Sequence, residues 1–164
     1  MSEPETSNNF QRQGSISNAH VGRDFEALAM DYLKSQGIIL KPDQKVEVGI
    51  GERKKAHAFD LGSDEPKVIV ECKSHRWTKG NNVPSAKMTA WNEAMYYFAC
   101  APSEYRKIFF VLKDQRTSNN ETLAEYYIRI YKHLVPSDVE IWELDEETGD
   151  VLILPSDIQK KDSP

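Results

Sequence analysis

Two β-type runs, His57–Leu61 and Lys67–Ser74, flank the segment Gly62-Ser63-Asp64-Glu65-Pro66. A Gly/Ser/Asp/Pro cluster between two such runs predicts a β-hairpin. Side chains alternate faces along a strand, so Glu71 and Lys73 share one face and Val70 and Cys72 the other. On the first run Asp60 faces away from Phe59 and Leu61. Pairing Gly62 with Lys67 sets Asp60 opposite Ile69 and diagonal to Glu71, within reach of cross-strand neighbours. Two carboxylates and an ammonium are thereby expected at one end of a small sheet.

Glu-X-Lys on a strand is ordinarily a solvated ion pair, but the surroundings here differ. Val68-Ile69-Val70 directly precedes Glu71, which implies a buried strand, and a carboxylate there is costly unless paired or bound to metal. Two hard oxygen ligands suit Mg²⁺, which binds through one or two carboxylates and keeps several waters for phosphate chemistry. A lysine two residues along can hold an attacking water or stabilise phosphate charge.

The rest of the chain reads as one compact domain. Met1–Asn18 is polar, rich in Ser, Asn and Gln, and reads as a disordered tail. Val21, Phe25, Leu28, Ala29, Tyr32 and Leu33 recur at helical spacing, with Ser17 or Asn18 as the cap and Gly37 as the stop. Ile38–Leu40 and Lys45–Gly49 predict a strand interrupted near Pro42. Pro84–Ala101 predicts a second helix with Ala90, Ala94, Tyr97 and Phe98 inward. Lys107–Leu112 is a continuous apolar run, as in a central strand buried on both faces. Asn120–Leu134 predicts a helix burying Leu123, Tyr127, Ile130, Tyr131 and Leu134, and Val139–Leu144 and Val151–Leu154 predict short strands around an acidic turn. The domain is expected to span residues 19–155, with 156–164 a flexible tail.

Asp60 followed by Glu71-Cys72-Lys73 in an apolar strand resembles the bipartite signature of the PD-(D/E)XK nuclease superfamily, with Phe59 where the naming proline stands. Gly22-Arg23-Asp24-Phe25-Glu26, opening an amphipathic helix, resembles that family's first core helix. The resemblance covers roughly Val21–Asp114. It implies an α/β, restriction-endonuclease-like three-layer sandwich: a mixed central sheet flanked by helices, with an αβββαβ core. It implies further a Mg²⁺-dependent DNA endonuclease, with Mn²⁺ as a substitute. Asp60, Glu71 and the Cys72 main-chain carbonyl would hold the metal, Lys73 would act on the water or phosphate, and Glu26 would assist.

Contacts to nucleic acid are expected from the basic loop Arg53-Lys54-Lys55 and from His75, Arg76, Trp77, Lys79 and Asn81 beyond the hairpin. Arg and Asn can fork onto bases, and Trp can stack on an unpaired one; the alternative for Trp77 is packing over the sheet edge. Lys87 on the second helix is a further candidate. The net charge of −5 is unevenly spread: Lys41–Lys87 holds ten cations against seven anions, and Ser137–Pro164 nine anions against two. A basic side with an acidic tail elsewhere is compatible with DNA. A chain this small cutting two strands is expected to form a homodimer. A junction resolvase, a repair nickase and an inactive binding module remain alternatives. Two cysteines, no apolar run near membrane-spanning length and no signal-type N-terminus fit a reducing cytoplasm.

Overall fold

The structure is a computed structural model; it describes residues 10–155, with side chains from Gly22 onward. Elements run α1 (Phe10–Ser35), β1 (Lys41–Val48), β2 (Lys55–Asp64), β3 (Lys67–Lys73), α2 (Ser85–Cys100), β4 (Arg106–Leu112), α3 (Leu123–Tyr131), β5 (Val139–Leu144) and β6 (Val151–Leu154), with a 3-10 turn at Lys132–Leu134. The expected tails fall partly outside the description, at 1–9 and 156–164. Residues 10–18 belong to α1, which starts well before the Ser17/Asn18 cap read from the sequence.

The six strands form one open mixed sheet in chain order. β1, β2 and β3 are an antiparallel meander; β3, β4 and β5 are mutually parallel; β6 returns antiparallel to β5. Parallel neighbours need crossovers, and α2 and α3 supply them. Both crossover helices lie on one face, packing Met88, Trp91, Met95, Phe98, Leu123 and Tyr127 over Ile69, Phe109, Val111 and Ile141. α1 covers the other face, where Phe25, Ala29 and Leu33 meet Val70, Cys72, Ile108, Phe110 and Trp142. The chain is therefore a three-layer α/β protein. β4 feeds both cores, which is why its sequence is apolar without alternation.

Helix α1 ends where Gly37 takes φ 82°, a left-handed conformation that a Cβ would strain. Ile38 N–H then donates to Leu33 O at 2.9 Å and Gly37 N–H to Lys34 O at 3.0 Å, the paired bonds of a Schellman cap. This closure draws Ile38–Leu40 into the connection, so the first strand begins at Lys41 rather than Ile38. Pro42 is tolerated because β1 is an edge strand.

Two helices bury a stripe other than the expected one. In α2 Met88, Trp91 and Met95 join Ala94 and Phe98 inside, while Ala90 is only half-buried. In α3 Ala124 and Ile128 point inward, and Ile130 and Leu134 are exposed. Asn120 has φ 59° and cannot begin a helix; Thr122 caps it by accepting Glu125 N–H at 3.1 Å. No helix among the described residues is long and apolar enough to cross a membrane.

Candidate active site

The hairpin closes two residues later than expected. Asp64 pairs with Lys67 around Glu65-Pro66, and Leu61 faces Val70. One step further along this register Asp60 comes opposite Glu71 instead of Ile69. The slip is an even number of residues, so the face of each β3 side chain is unchanged. Strand β2 itself does not alternate cleanly. Phe59 packs in the α2/α3 core and Leu61, two positions on, in the α1 core. Asp60 sits at the crossover between them, beside Asp43 of β1, which has φ 54°. The interrupted pleat puts Asp60 within electrostatic reach of both layers.

Asp60 Oδ2 accepts the main-chain N–H of Cys72 at 2.8 Å, pinning β2 to β3. Glu71 shares the face of Ile69, is 8% exposed, and has its Oε1 3.7 Å from His57 Nε2. His57 stacks on Tyr97 with ring centroids 3.7 Å apart. Burial, reinforced by the Asp60 charge, pushes the Glu71 carboxyl up to about 8; Lys73 opposes this without cancelling it. Glu26 on α1 is also raised, first by burial and then by Asp60 and Asp43, with Arg23 and Lys73 opposing. Burial lowers the His57 pKa, with Asp60 and Glu93 opposing. The Cys72 thiol lies wholly inside the α1 core, and burial holds it protonated, so its main-chain carbonyl is the atom left for a ligand role.

Glu26, Asp60, Glu71 and Lys73 thus belong to one electrostatic cluster. Its character is an excess of carboxylate: two acids face each other at a buried strand end, and one must keep a proton. No group of three or more His, Cys, Asp or Glu among the described residues is spaced to hold a metal ion. The donor chemistry nonetheless fits a hard divalent cation, which could take the place of the proton that Asp60 and Glu71 otherwise need between them.

The expected nucleic-acid residues divide by what they touch. Arg53, Lys54 and Lys55 are all exposed, and Lys54 Nζ bonds Gly49 O at 2.7 Å. Gly49 has φ 154°, and a Cβ there would lie 2.0 Å from Arg53 O, so the basic loop folds back tightly on itself. Lys79 and Lys87 are exposed. Asn81 has φ 60°, and its amide nitrogen bonds Thr117 Oγ1 at 2.9 Å, tying two loops together. Arg76 pairs with Glu146 and lies 3.7 Å from Asp114. Trp77 donates its main-chain N–H to Asp114 Oδ2 at 2.7 Å and its indole N–H to Asp114 O at 2.9 Å. Its ring meets Tyr126 edge-on at 5.4 Å and carries Arg116 at 4.2 Å. Packing, the alternative reading for Trp77, describes these contacts.

His75 accepts the indole N–H of Trp91 at its Nδ1, 2.7 Å away, and burial with Lys87 and Lys73 nearby lowers its pKa to about 4. It is a neutral imidazole with Nε2 carrying the proton. It borders a groove of about 440 Å³ with Val83, Pro84 and Lys87.

Sequence reasoning passed over His57, Asp43 and Asp114. His57 carried a readable signal, since it alternates with buried Phe59. Asp114 did too, as a carboxylate just past a buried strand, the feature that singled out Glu71. Asp43 gave none, because only the kinks of β1 and β2 bring it near Glu26. Comparison with models of known protein families, with curated proteins and with solved structures finds no match.

Proposed function

We propose that this chain is a Mg²⁺-dependent DNA endonuclease of the restriction-endonuclease-like class. The observation that carries the reading is the Asp60–Glu71 pair: two facing carboxyl groups at a buried strand end, where burial and the Asp60 charge raise the Glu71 pKa. Ionising both members would place two like charges side by side at a largely buried position, which a bound cation would relieve. The order α1-β1-β2-β3-α2-β4, antiparallel through β3 and parallel from β3 to β4, supports the αβββαβ core.

Asp60, Glu71 and the Cys72 carbonyl would hold Mg²⁺, with Mn²⁺ able to replace it. The ion supplies a lowered pKa for bound water and polarisation of a phosphoryl oxygen. Lys73, on the Glu71 face, orients the attacking water or stabilises charge gathering on the phosphate. Glu26 accepts a proton or assists at the same point. Exposed Arg53, Lys55, Lys79 and Lys87 contact the DNA backbone, as phosphate binding requires no precise fork.

The test is cleavage of plasmid DNA with Mg²⁺ by the wild type and by Lys73→Ala. The wild type cuts; the variant keeps its fold and its DNA affinity and loses cutting by at least about a hundredfold, the usual scale for a positioned proton-transfer group. Robust Mg²⁺-dependent cutting by the variant overturns the assignment.

A further inference from the structure

The two edges of the sheet are built differently. Edge β1 reads Lys-Pro-Asp-Gln-Lys-Val-Glu-Val, with Lys41, Pro42, Asp43, Lys45 and Glu47 exposed and a left-handed residue at Asp43. Charge, proline and a kink are the devices that stop an edge from recruiting another strand. Edge β6 reads Val-Leu-Ile-Leu, without a charge or a kink, and is limited only by its shortness and by Pro155 at its end. Leu152 is 62% and Ile153 52% exposed, on opposite faces of the strand. A strand of four residues offers few main-chain bonds, so side-chain fit must decide what pairs with it.

That fit is present on the same surface. Leu154 and Pro155 border a small hollow walled by Ile128, Val135, Pro136 and Ile141 on the α3 side of the sheet. Glu143 faces Leu152 and Ile141 faces Leu154 across β5–β6, so Leu152 and Leu154 share that side. An antiparallel partner strand places directly opposed residues on one face. If β6 of a second copy pairs about Ile153, Leu152 of each copy comes opposite Leu154 of the other, over that hollow. Ile153 meets its own counterpart on the α1 side. A surface bearing both a protruding leucine and the recess beside its mate is self-complementary, as a two-fold interface demands.

We propose that β6 is the dimer interface of this protein, joining two six-stranded sheets edge to edge about a two-fold axis through Ile153. Neither residues 1–9 nor residues 156–164 bring an apolar run that would cover the strand. Residues 1–9 contain no large apolar side chain beyond Met1, and residues 156–164 contain only Ile158. The antiparallel arrangement also sets the two acidic turns, Asp145–Asp150, at opposite ends of the joined strands, where they do not repel. This inference does not depend on the nuclease reading.

Sedimentation velocity on the full chain tests it. The wild type is a dimer in concentration-dependent exchange with monomer. Ile153→Lys is monomeric throughout, with unchanged circular dichroism and with the melting temperature that the wild type reaches on dilution to monomer, because the side chain is exposed in the single chain. Register is tested by oxidation in a Cys100→Ser background. Ile153→Cys faces itself at a Cα separation suited to a disulfide and cross-links; Leu152→Cys, which faces position 154, does not. A wild type that stays monomeric, a dimer that survives Ile153→Lys, or equal cross-linking at the two positions overturns the proposal.

Discussion

The Asp60 carboxylate accepts the main-chain N–H of Cys72 at 2.8 Å, so one side chain of the candidate site also fastens β2 to β3. Its two duties separate by substitution. Asp60→Asn keeps an oxygen able to accept the bond and removes the charge. Asp60→Ala removes both and leaves a part-buried N–H without its charged acceptor, a loss of about 1.5–3 kcal/mol. Both variants are expected to be inactive in DNA cleavage, and only the alanine form to melt earlier. Equal melting temperatures in chemical and thermal unfolding would show that the bond contributes nothing.

Glu71 makes the site sensitive to pH in a definite direction. Its folded pKa, about 8, lies above the ordinary 4.5. The folded state therefore binds its proton more tightly than the unfolded chain does. That stabilisation is complete below pH 4.5 and is lost as pH rises through 8. Without divalent cation, the melting temperature of the wild type falls over this window, and Glu71→Gln flattens the fall. Mg²⁺ added near pH 8 raises the wild-type melting temperature and leaves the glutamine variant unmoved, since a ligand stabilises only the state that binds it. Parallel pH profiles for the two proteins would remove Glu71 as the titrating group.

His75 is expected to stay neutral through the physiological range, because burial disfavours the cation, Lys87 and Lys73 add to that, and its Nδ1 is occupied in accepting from Trp91. Its folded pKa, about 4, lies below the ordinary 6.5. The stability it contributes is present above pH 6.5 and is lost as pH falls from there toward 4. Trp91→Phe removes the donor while retaining most of the ring packing. The His75 ¹³C and ¹⁵N shifts in that variant titrate closer to 6.5. Stability drops by about 1–3 kcal/mol from the unpaired nitrogen. An imidazole that titrates unchanged in the variant would show that the indole bond does not hold the tautomer.

The layers and the proximity of Asp60, Glu71 and Lys73 are legible in the sequence, because those depend on period and on apolar runs, whereas Glu26 enters only through the family resemblance and Asp43 not at all. Val68–Val70 and Lys107–Leu112 mark strands buried on both faces whatever their register. The hairpin's parity survived a two-residue error, which is why Glu71 and Lys73 were placed on the right face while the Asp60 partner was not. The kinks at Asp43 and Asp60 were unreadable, since a left-handed aspartate leaves no periodic trace and breaks the alternation used to read β2. Helix stripes shifted for a related reason. Met88, Trp91 and Ile128 are apolar candidates equal to their neighbours, and only the sheet they pack on chooses among them. The loop beyond β3 was read by composition alone. Asp114, distant in sequence, decides what Arg76 and Trp77 touch.

Trp77 gives that last point a measurable form. A tryptophan stacked on an unpaired base contributes about 1–3 kcal/mol of affinity, roughly five- to 150-fold in Kd. Here the ring is enclosed by Tyr126 and Arg116, and the indole N–H is bonded to Asp114 O. Trp77→Phe preserves an aromatic ring against Tyr126 and loses only the Asp114 bond, a cost to stability of about 1 kcal/mol. DNA affinity, measured by fluorescence anisotropy with Ca²⁺ in place of Mg²⁺, is expected to change by less than about twofold, well under 1 kcal/mol. Lys79→Ala and Lys87→Ala, whose side chains are exposed, weaken binding more and reduce its salt dependence by about one ion each. A tenfold loss on Trp77→Phe would mean that the loop opens on the substrate and turns the ring outward, against the packing that now holds it.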